Sequence, residues 1–351
     1  MSIFKKSSLV SLLVSLILSN NSFACSRVVS NNLGKEVIVG RSMDWFEPMQ
    51  TKLWILPRGM ERVGEAGENS LKWTSRYGSV AASIYDGATA DGMNEKGLTA
   101  SMLYLTESNF GKRDLNEVGL SISLWAQYFL DNYATVNEAL DDFKKKPFQP
   151  LMASVGSSVK KQATVHLALS DKTGDTAVIE YLDGKIQIHH GKEFTVMTNS
   201  PPYNQQLENL KSYKGFGGKE PLPGTTEAAD RFVRAAFYLQ HLPKPKDKRE
   251  AIAGVLSIMR NVSQPFGVAD PSRPNISATQ WRTVADLTDG LYFYESTLSP
   301  NIIWIDLKAV NFEKNKTPKV LKLDAHPDYV GDVTNRFEAA KMFQFIPSSA
   351  S

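Results

Sequence analysis

The chain has a single cysteine, Cys25, in 351 residues. An internal disulfide is therefore excluded, and a lone thiol with only a packing role would be an oxidation liability. Histidine is scarce too: His166, His189, His190, His241 and His326 are the whole complement. None falls in a His-Glu-x-x-His or clustered ligand spacing, so no metal and no cofactor is expected. Neither sign of charge prevails, with 40 Lys plus Arg against 37 Asp plus Glu. No basic run tracks a phosphate backbone, and nucleic acid is not an expected partner. Beyond the N-terminus no apolar run approaches the roughly 18 to 20 residues of a stable membrane span.

What is present begins with the N-terminal segment. Lys5 and Lys6 form a positive n-region, Leu9 to Leu18 an apolar h-region, and Ser22-Phe23-Ala24 a small-x-small cleavage site. Residues 1–24 are expected to be a removable signal peptide, and the protein to be periplasmic or secreted. Cleavage would leave 351 − 24 = 327 residues, a single domain at 25–351 with Cys25 first. A lipoprotein signal also ends before a cysteine, but Ser22 and the bulky Phe23 suit ordinary signal peptidase better. The alternative that survives is a non-enzymatic binding protein anchored at Cys25.

The opening of the mature chain reads as a hairpin, with strands at 25–30 and 37–43 about the turn chemistry of Asn31-Asn32-Leu33-Gly34-Lys35. Further strands are predicted at 53–57, 79–85, 98–105, 163–170, 176–181, 186–189, 194–198, 281–285, 291–295, 302–307 and 320–323. Apolar residues three and four apart predict helices at 121–131, 135–144, 226–242 and 247–262. Strands, a helix pair, strands, a helix pair and strands suit two sheets between helix layers in one α+β domain. Strict βαβ alternation is absent, which excludes a doubly wound sheet. The segment 201–226 reads as a long polar loop of the kind that serves as a lid or assembly arm.

An N-terminal cysteine has its own base. Its α-amino group, with an ordinary pKa of about 7.7 to 8.0, can take the thiol proton without any histidine. Such a scheme needs a cation near sulfur, a carboxylate to orient the amine, and donors for the oxyanion. Arg41 and Asp44 end the strand that pairs back on Cys25, and Asn199 follows an apolar strand. Alone, Arg and Asp three apart describe a surface ion pair more readily than a site, and Asn199 a turn former. A papain-like arrangement finds no histidine in a suitable context.

Five stretches nevertheless occur in order: Cys25 after a signal, Gly40-Arg41-Ser42-Met43-Asp44-Trp45, Asn94-Glu95-Lys96-Gly97-Leu98, Val196-Met197-Thr198-Asn199-Ser200-Pro201 and Arg231-Phe232-Val233-Arg234-Ala235. Together they resemble the choloylglycine hydrolase family, the bile salt hydrolases and penicillin V acylases of the N-terminal nucleophile class. The resemblance implies an αββα sandwich, commonly a homotetramer, acting on a small-molecule amide. It implies Cys25 as nucleophile, Arg41 near the thiol, Asp44 on the α-amine, Asn199 in the oxyanion hole and Arg231 in the surrounding polar network. Tyr104 stands where bile salt hydrolases typically place asparagine, and resembles the penicillin V acylase branch. Its backbone N–H would be the second oxyanion donor. Trp45, Phe46 and Tyr85 could add aromatic walls to the pocket, although each would serve as ordinary core. The signal and Met43-Asp44-Trp45 resemble the Gram-negative group, some of which also cleave N-acyl homoserine lactones. Conjugated bile salts are the poorer fit.

Overall fold

The computed structural model describes residues 25–32, 34–156, 161–266, 277–299 and 301–349, so the expected signal at 1–24 lies outside the described residues. Cys25–Ser30 (β1) and Ile38–Trp45 (β2) form the predicted antiparallel hairpin, with Cys25 opposite Met43, Arg27 opposite Arg41 and Ser30 opposite Ile38. Every residue of both strands is buried, because one face meets helices and the other a second sheet. β2 pairs on its far side with Ala278–Asp286, and Leu291–Ser296, Ile302–Asp306 and Gly331–Asp332 continue outward. Val196–Met197 closes the opposite edge against β1, completing seven strands.

The second sheet has nine strands, centred on Ser79–Ile84, Ala88–Asn94, Thr99–Tyr104 and Val165–Ser170. Helices α1 (Trp125–Asn132) and α2 (Val136–Lys145) cover its outer face, where Phe129, Leu130 and Leu140 pack on Leu98, Ala100 and Met102. A short α3 (Tyr203–Leu210) leads to α4 (Ala228–Gln240) and α5 (Lys248–Asn261), which cover the seven-stranded sheet. The result is a four-layer αββα sandwich, the architecture expected from the order of elements.

Local chemistry sets the helix starts. Thr135 accepts from the Glu138 N–H while the Glu138 carboxylate accepts from Ala134, and Asp247 and Glu250 do the same at the start of α5. Two readings need correction. Ala88–Asn94 is a strand where none was predicted: its Gly, Asp and Asn read as turn residues, but the position lies between sheet neighbours under α1. A Cβ on Gly92 would come within 2.6 Å of the Val80 carbonyl, so only the smallest residue fits. The polar segment 201–226 begins as helix α3, with Tyr203 and Gln206 buried, so its first third is core rather than lid.

Gly40 in β2 shows how tightly α5 is seated. A Cβ there would meet Met259 Cγ at 2.6 Å and Val255 Cγ1 at 2.7 Å, both core side chains. Gly40→Ala is expected to lower the urea midpoint by the equivalent of about 1–3 kcal/mol through overpacking. An unchanged midpoint would mean that α5 is not fixed by this contact.

Candidate active site

Hairpin register delivers Cys25 to the middle of the molecule. The residue is 2% exposed, and its Sγ lies 3.8 Å from the Asp44 carbonyl oxygen and 3.9 Å from Met43 Sδ. Its backbone nitrogen donates to Asn199 Oδ1. Arg231 Nη2 donates to the same oxygen at 3.0 Å, while Asn199 Nδ2 donates to the Tyr104 carbonyl at 2.7 Å. Donors on one side and an acceptor on the other fix the amide's orientation, and Nδ2 keeps a second hydrogen beyond the one given to Tyr104.

Arg231 comes from α4. Its Nη1 donates to the Cys25 carbonyl at 2.7 Å and to Ser26 Oγ at 2.5 Å, and its Nε to the Thr226 carbonyl at 3.0 Å. Burial lowers its pKa, opposed by Asp44 and Cys25. Arg41 stacks 4.4 Å over the Trp281 ring and donates from Nη2 to the Met102 carbonyl at 3.0 Å. Its Nε and Nη1 are buried without a hydrogen-bond partner among the described residues. Asp44 Oδ1 accepts from Thr279 Oγ1 at 2.6 Å, and Oδ2 lies 3.4 Å from Ser42 Oγ. Burial lifts its carboxyl to about 6, against the pull of Arg231, the Thr279 bond and Arg41.

The resemblance placed Asp44 on the amine, but the Cys25 nitrogen gives its bond to Asn199, and the Asp44 carboxylate is held by Thr279 and Ser42. The reason is simple valence. An amide nitrogen has one hydrogen to give, whereas a freed terminal ammonium would have three. The site thus gathers Cys25, Arg41, Asp44, Asn199, Arg231 and the Tyr104 peptide about one point.

At that point burial pushes the Cys25 thiol up from its ordinary value, and Arg41 and Arg231 recover only part of the shift. A resting thiol needs a base, and no histidine is placed to serve. His166 is bonded to Glu180 and the Thr198 carbonyl, His190 to Asp175 and His241 to the Phe237 carbonyl. His189 packs on Tyr203 and His326 on Tyr329. Among the described residues no three His, Cys, Asp or Glu side chains converge as a metal site.

A cavity opens in front of the sulfur, walled by Met43, Trp45, Met49, Ile84, Leu103 and Tyr104. Trp45 and Tyr104 pack on each other in a tilted pair, ring centres 6.3 Å apart and planes at 59°. Phe46 and Tyr85 are not on this wall. Phe46 packs beside Trp45 at 5.2 Å, and Tyr85 turns its hydroxyl to Trp45 Nε1 and Glu47 Oε1, both at 2.7 Å. They support the pocket from behind. Sequence reasoning missed Thr279 and Trp281, more than 230 residues along the chain from Asp44 and Arg41. No local pattern announces such partners. Only the strand predicted at 281–285 hinted that they enter the same sheet.

Because Arg41 pulls the thiol down, Arg41→Met is expected to move the pH profile of iodoacetamide alkylation of Cys25 to higher pH. A superimposable profile would remove Arg41 from the electrostatics of sulfur.

Residues 25–320 match the family model of linear amide C–N hydrolases, choloylglycine hydrolase family. A penicillin V acylase of Pectobacterium atrosepticum is 44% identical, with 92% of each chain covered. The solved penicillin V acylase of Agrobacterium tumefaciens is 48% identical, covering 92% of this chain and 99% of that one, with a TM-score of 0.82. A bile salt hydrolase/transferase of Clostridium perfringens is 24% identical over 80% of this chain and 91% of its own. The protein is an amidohydrolase, and it belongs to the choloylglycine hydrolase family.

Proposed function

We propose that this protein is an exported amidohydrolase of penicillin V acylase type, whose nucleophile is Cys25 after removal of residues 1–24. The observation that carries the reading is the surrounding of one buried sulfur. Two arginines, a carboxylate and an asparagine amide converge on a resting thiol, and the nearest nitrogen that could act as base is the residue's own. The freed α-amine takes the thiol proton, the thiolate attacks the amide carbonyl, and the ammonium gives the proton to the amine as the C–N bond breaks. Water, deprotonated by the same α-amine, then cleaves the thioester, releasing the acid and restoring the thiol. The second Asn199 Nδ2 hydrogen and the Tyr104 N–H meet the oxyanion. Asp44 holds the ammonium, which joins Arg231 and Arg41 in favouring the ionised carboxylate against its burial.

The cavity receives the acyl half. Its wall is apolar and aromatic, with Trp45 and Tyr104 packed on each other at one side, which suits an apolar acyl group such as phenoxyacetyl or a fatty acyl chain. N-acyl homoserine lactones belong to the same class of substrate. Conjugated bile salts are the second reading, supported by the more distant relatives. Export places the activity in the periplasm or outside the cell. A homotetramer is the expected assembly, to be read from sedimentation of the mature protein.

Two measurements test the scheme. Intact mass and N-terminal sequencing of the active protein should find Cys25 first with an unmodified amine, and active material that begins upstream would sink the mechanism. Cys25→Ser should bind substrate yet lose turnover by at least about a thousandfold. Across penicillin V, acyl homoserine lactones and glyco- and taurocholate, kcat/KM should be highest for one of the first two. A preference for the cholates would assign the bile salt reading instead.

A further inference from the structure

His166 has no part in the chemistry above, yet both its ring nitrogens are committed. The residue is 1% exposed, with Nε2 2.8 Å from the Thr198 carbonyl oxygen and Nδ1 3.0 Å from Glu180 Oε1. A carbonyl oxygen only accepts, so Nε2 carries a hydrogen, and one proton is shared between Nδ1 and the Glu180 carboxyl. Glu180 is fully buried, and its two oxygens lie 3.2 and 3.1 Å from the backbone nitrogen of Tyr203, which donates to them from the first residue of α3. His189 Nε2 stands 4.0 Å from the other Glu180 oxygen.

This arrangement lies where the oxyanion hole must be assembled. Tyr104 ends a strand of the nine-stranded sheet, and Asn199 follows the Val196–Met197 edge strand of the seven-stranded sheet. The two donors therefore belong to different layers, and they are joined by the Asn199 Nδ2 bond to the Tyr104 carbonyl at 2.7 Å and by Ser200, which accepts from the Thr106 N–H and donates to Glu107. His166 lies opposite Leu103, one residue from Tyr104, in the ladder between Val165–Ser170 and Thr99–Tyr104. Its bond reaches Thr198, the residue before Asn199, on the other layer. Gln206 of α3 closes from the opposite side, 3.2 Å from both Thr198 Oγ1 and the Asn199 carbonyl.

We propose that His166, braced by Glu180, is a positioning residue that ties the two layers together and holds the Thr198–Asn199 segment in place, so that the direct bond between the Asn199 amide and the Tyr104 peptide keeps its geometry. The proposal rests on the oxyanion reading above. It touches neither sulfur nor substrate, so it separates turnover from thiol reactivity. Alkylation of a thiolate forms no oxyanion, whereas amide hydrolysis does.

His166→Leu removes the Thr198 bond, and His166→Gln keeps a donor at about the position of Nε2. For His166→Leu, kcat on the best amide substrate should fall at least about tenfold, less than the roughly 10²–10³ lost when an oxyanion donor is deleted outright. KM should stay within about twofold and iodoacetamide alkylation of Cys25 at the wild-type rate, because ground-state binding and the thiol are untouched. His166→Gln should recover most of kcat. Wild-type kcat in His166→Leu would overturn the proposal. So would alkylation slowed in step with kcat, which would mean that the nucleophile had moved, or a His166→Gln as impaired as the leucine variant. A wild-type enzyme with no amidase turnover would instead bring down the functional reading, and this inference with it.

Discussion

The site depends on the buried guanidinium of Arg231. From a position on α4 it holds the Cys25 carbonyl, Ser26 and the Asn199 side-chain oxygen at once, so one planar group fixes strand β1, the Asn199 amide and the helix together. Desolvating such a cation costs several kcal/mol. The cost is offset by charge-assisted bonds in a fixed fork and by the nearby Asp44 and Cys25. With Arg41 added, the immediate site has two cations against one carboxylate. That surplus of positive charge is what a thiolate, and then an oxyanion, would neutralise.

Charged groups bridge the layer between the two sheets: buried Arg27, Arg41 and Asp91 each bond from one sheet to the other, and His166 bonds the Thr198 carbonyl beside the Val196–Met197 strand. Asp91 accepts from Ser101, Thr283 and Tyr292, and Arg27 donates to Ser170 at 2.8 Å. The bonds that cross the layer make the relative placement of the sheets a condition for satisfying the groups that form them. Apolar packing runs through the layer as well as over the outer faces: Val80, Leu103 and Ala168 of one sheet and Val29, Met43 and Trp281 of the other share a cluster with α4 and α5, while α1 and α2 bury a second.

Much of this was legible in the sequence, and what was not has identifiable causes. The hairpin could be read because alternation and turn chemistry are local, and once Cys25 and Met43 are opposite each other Arg41 and Asp44 follow. Asn199 and Arg231 were found through their surrounding motifs, and nothing in their own chemistry set them apart from a turn former and a helix cation. Ala88–Asn94 was missed because close packing between neighbours selects Gly and Ala, the residues a propensity reading discounts. Thr279 and Trp281 are partners by tertiary contact alone, and His166 meets Glu180 by continuing the register of the Val165–Ser170 and Thr176–Leu182 hairpin, with no local signal to single out either residue. Each has an ordinary strand environment in sequence.

Burial of the thiol bears on what could deprotonate it. The apolar cavity beside Cys25 desolvates the sulfur and raises its pKa, which opposes the use of that sulfur as the proposed nucleophile. Arg41 and Arg231 answer only part of that. A histidine base would need space and a second polar contact beside the sulfur, and the interior histidine nearest the oxyanion segment is already engaged at both nitrogens. A terminal amine needs neither, since it shares a Cα with the thiol and is placed by the same hairpin register. The apolar pocket and the absence of a separate base are, on this view, two consequences of putting the nucleophile at the start of a fully buried strand.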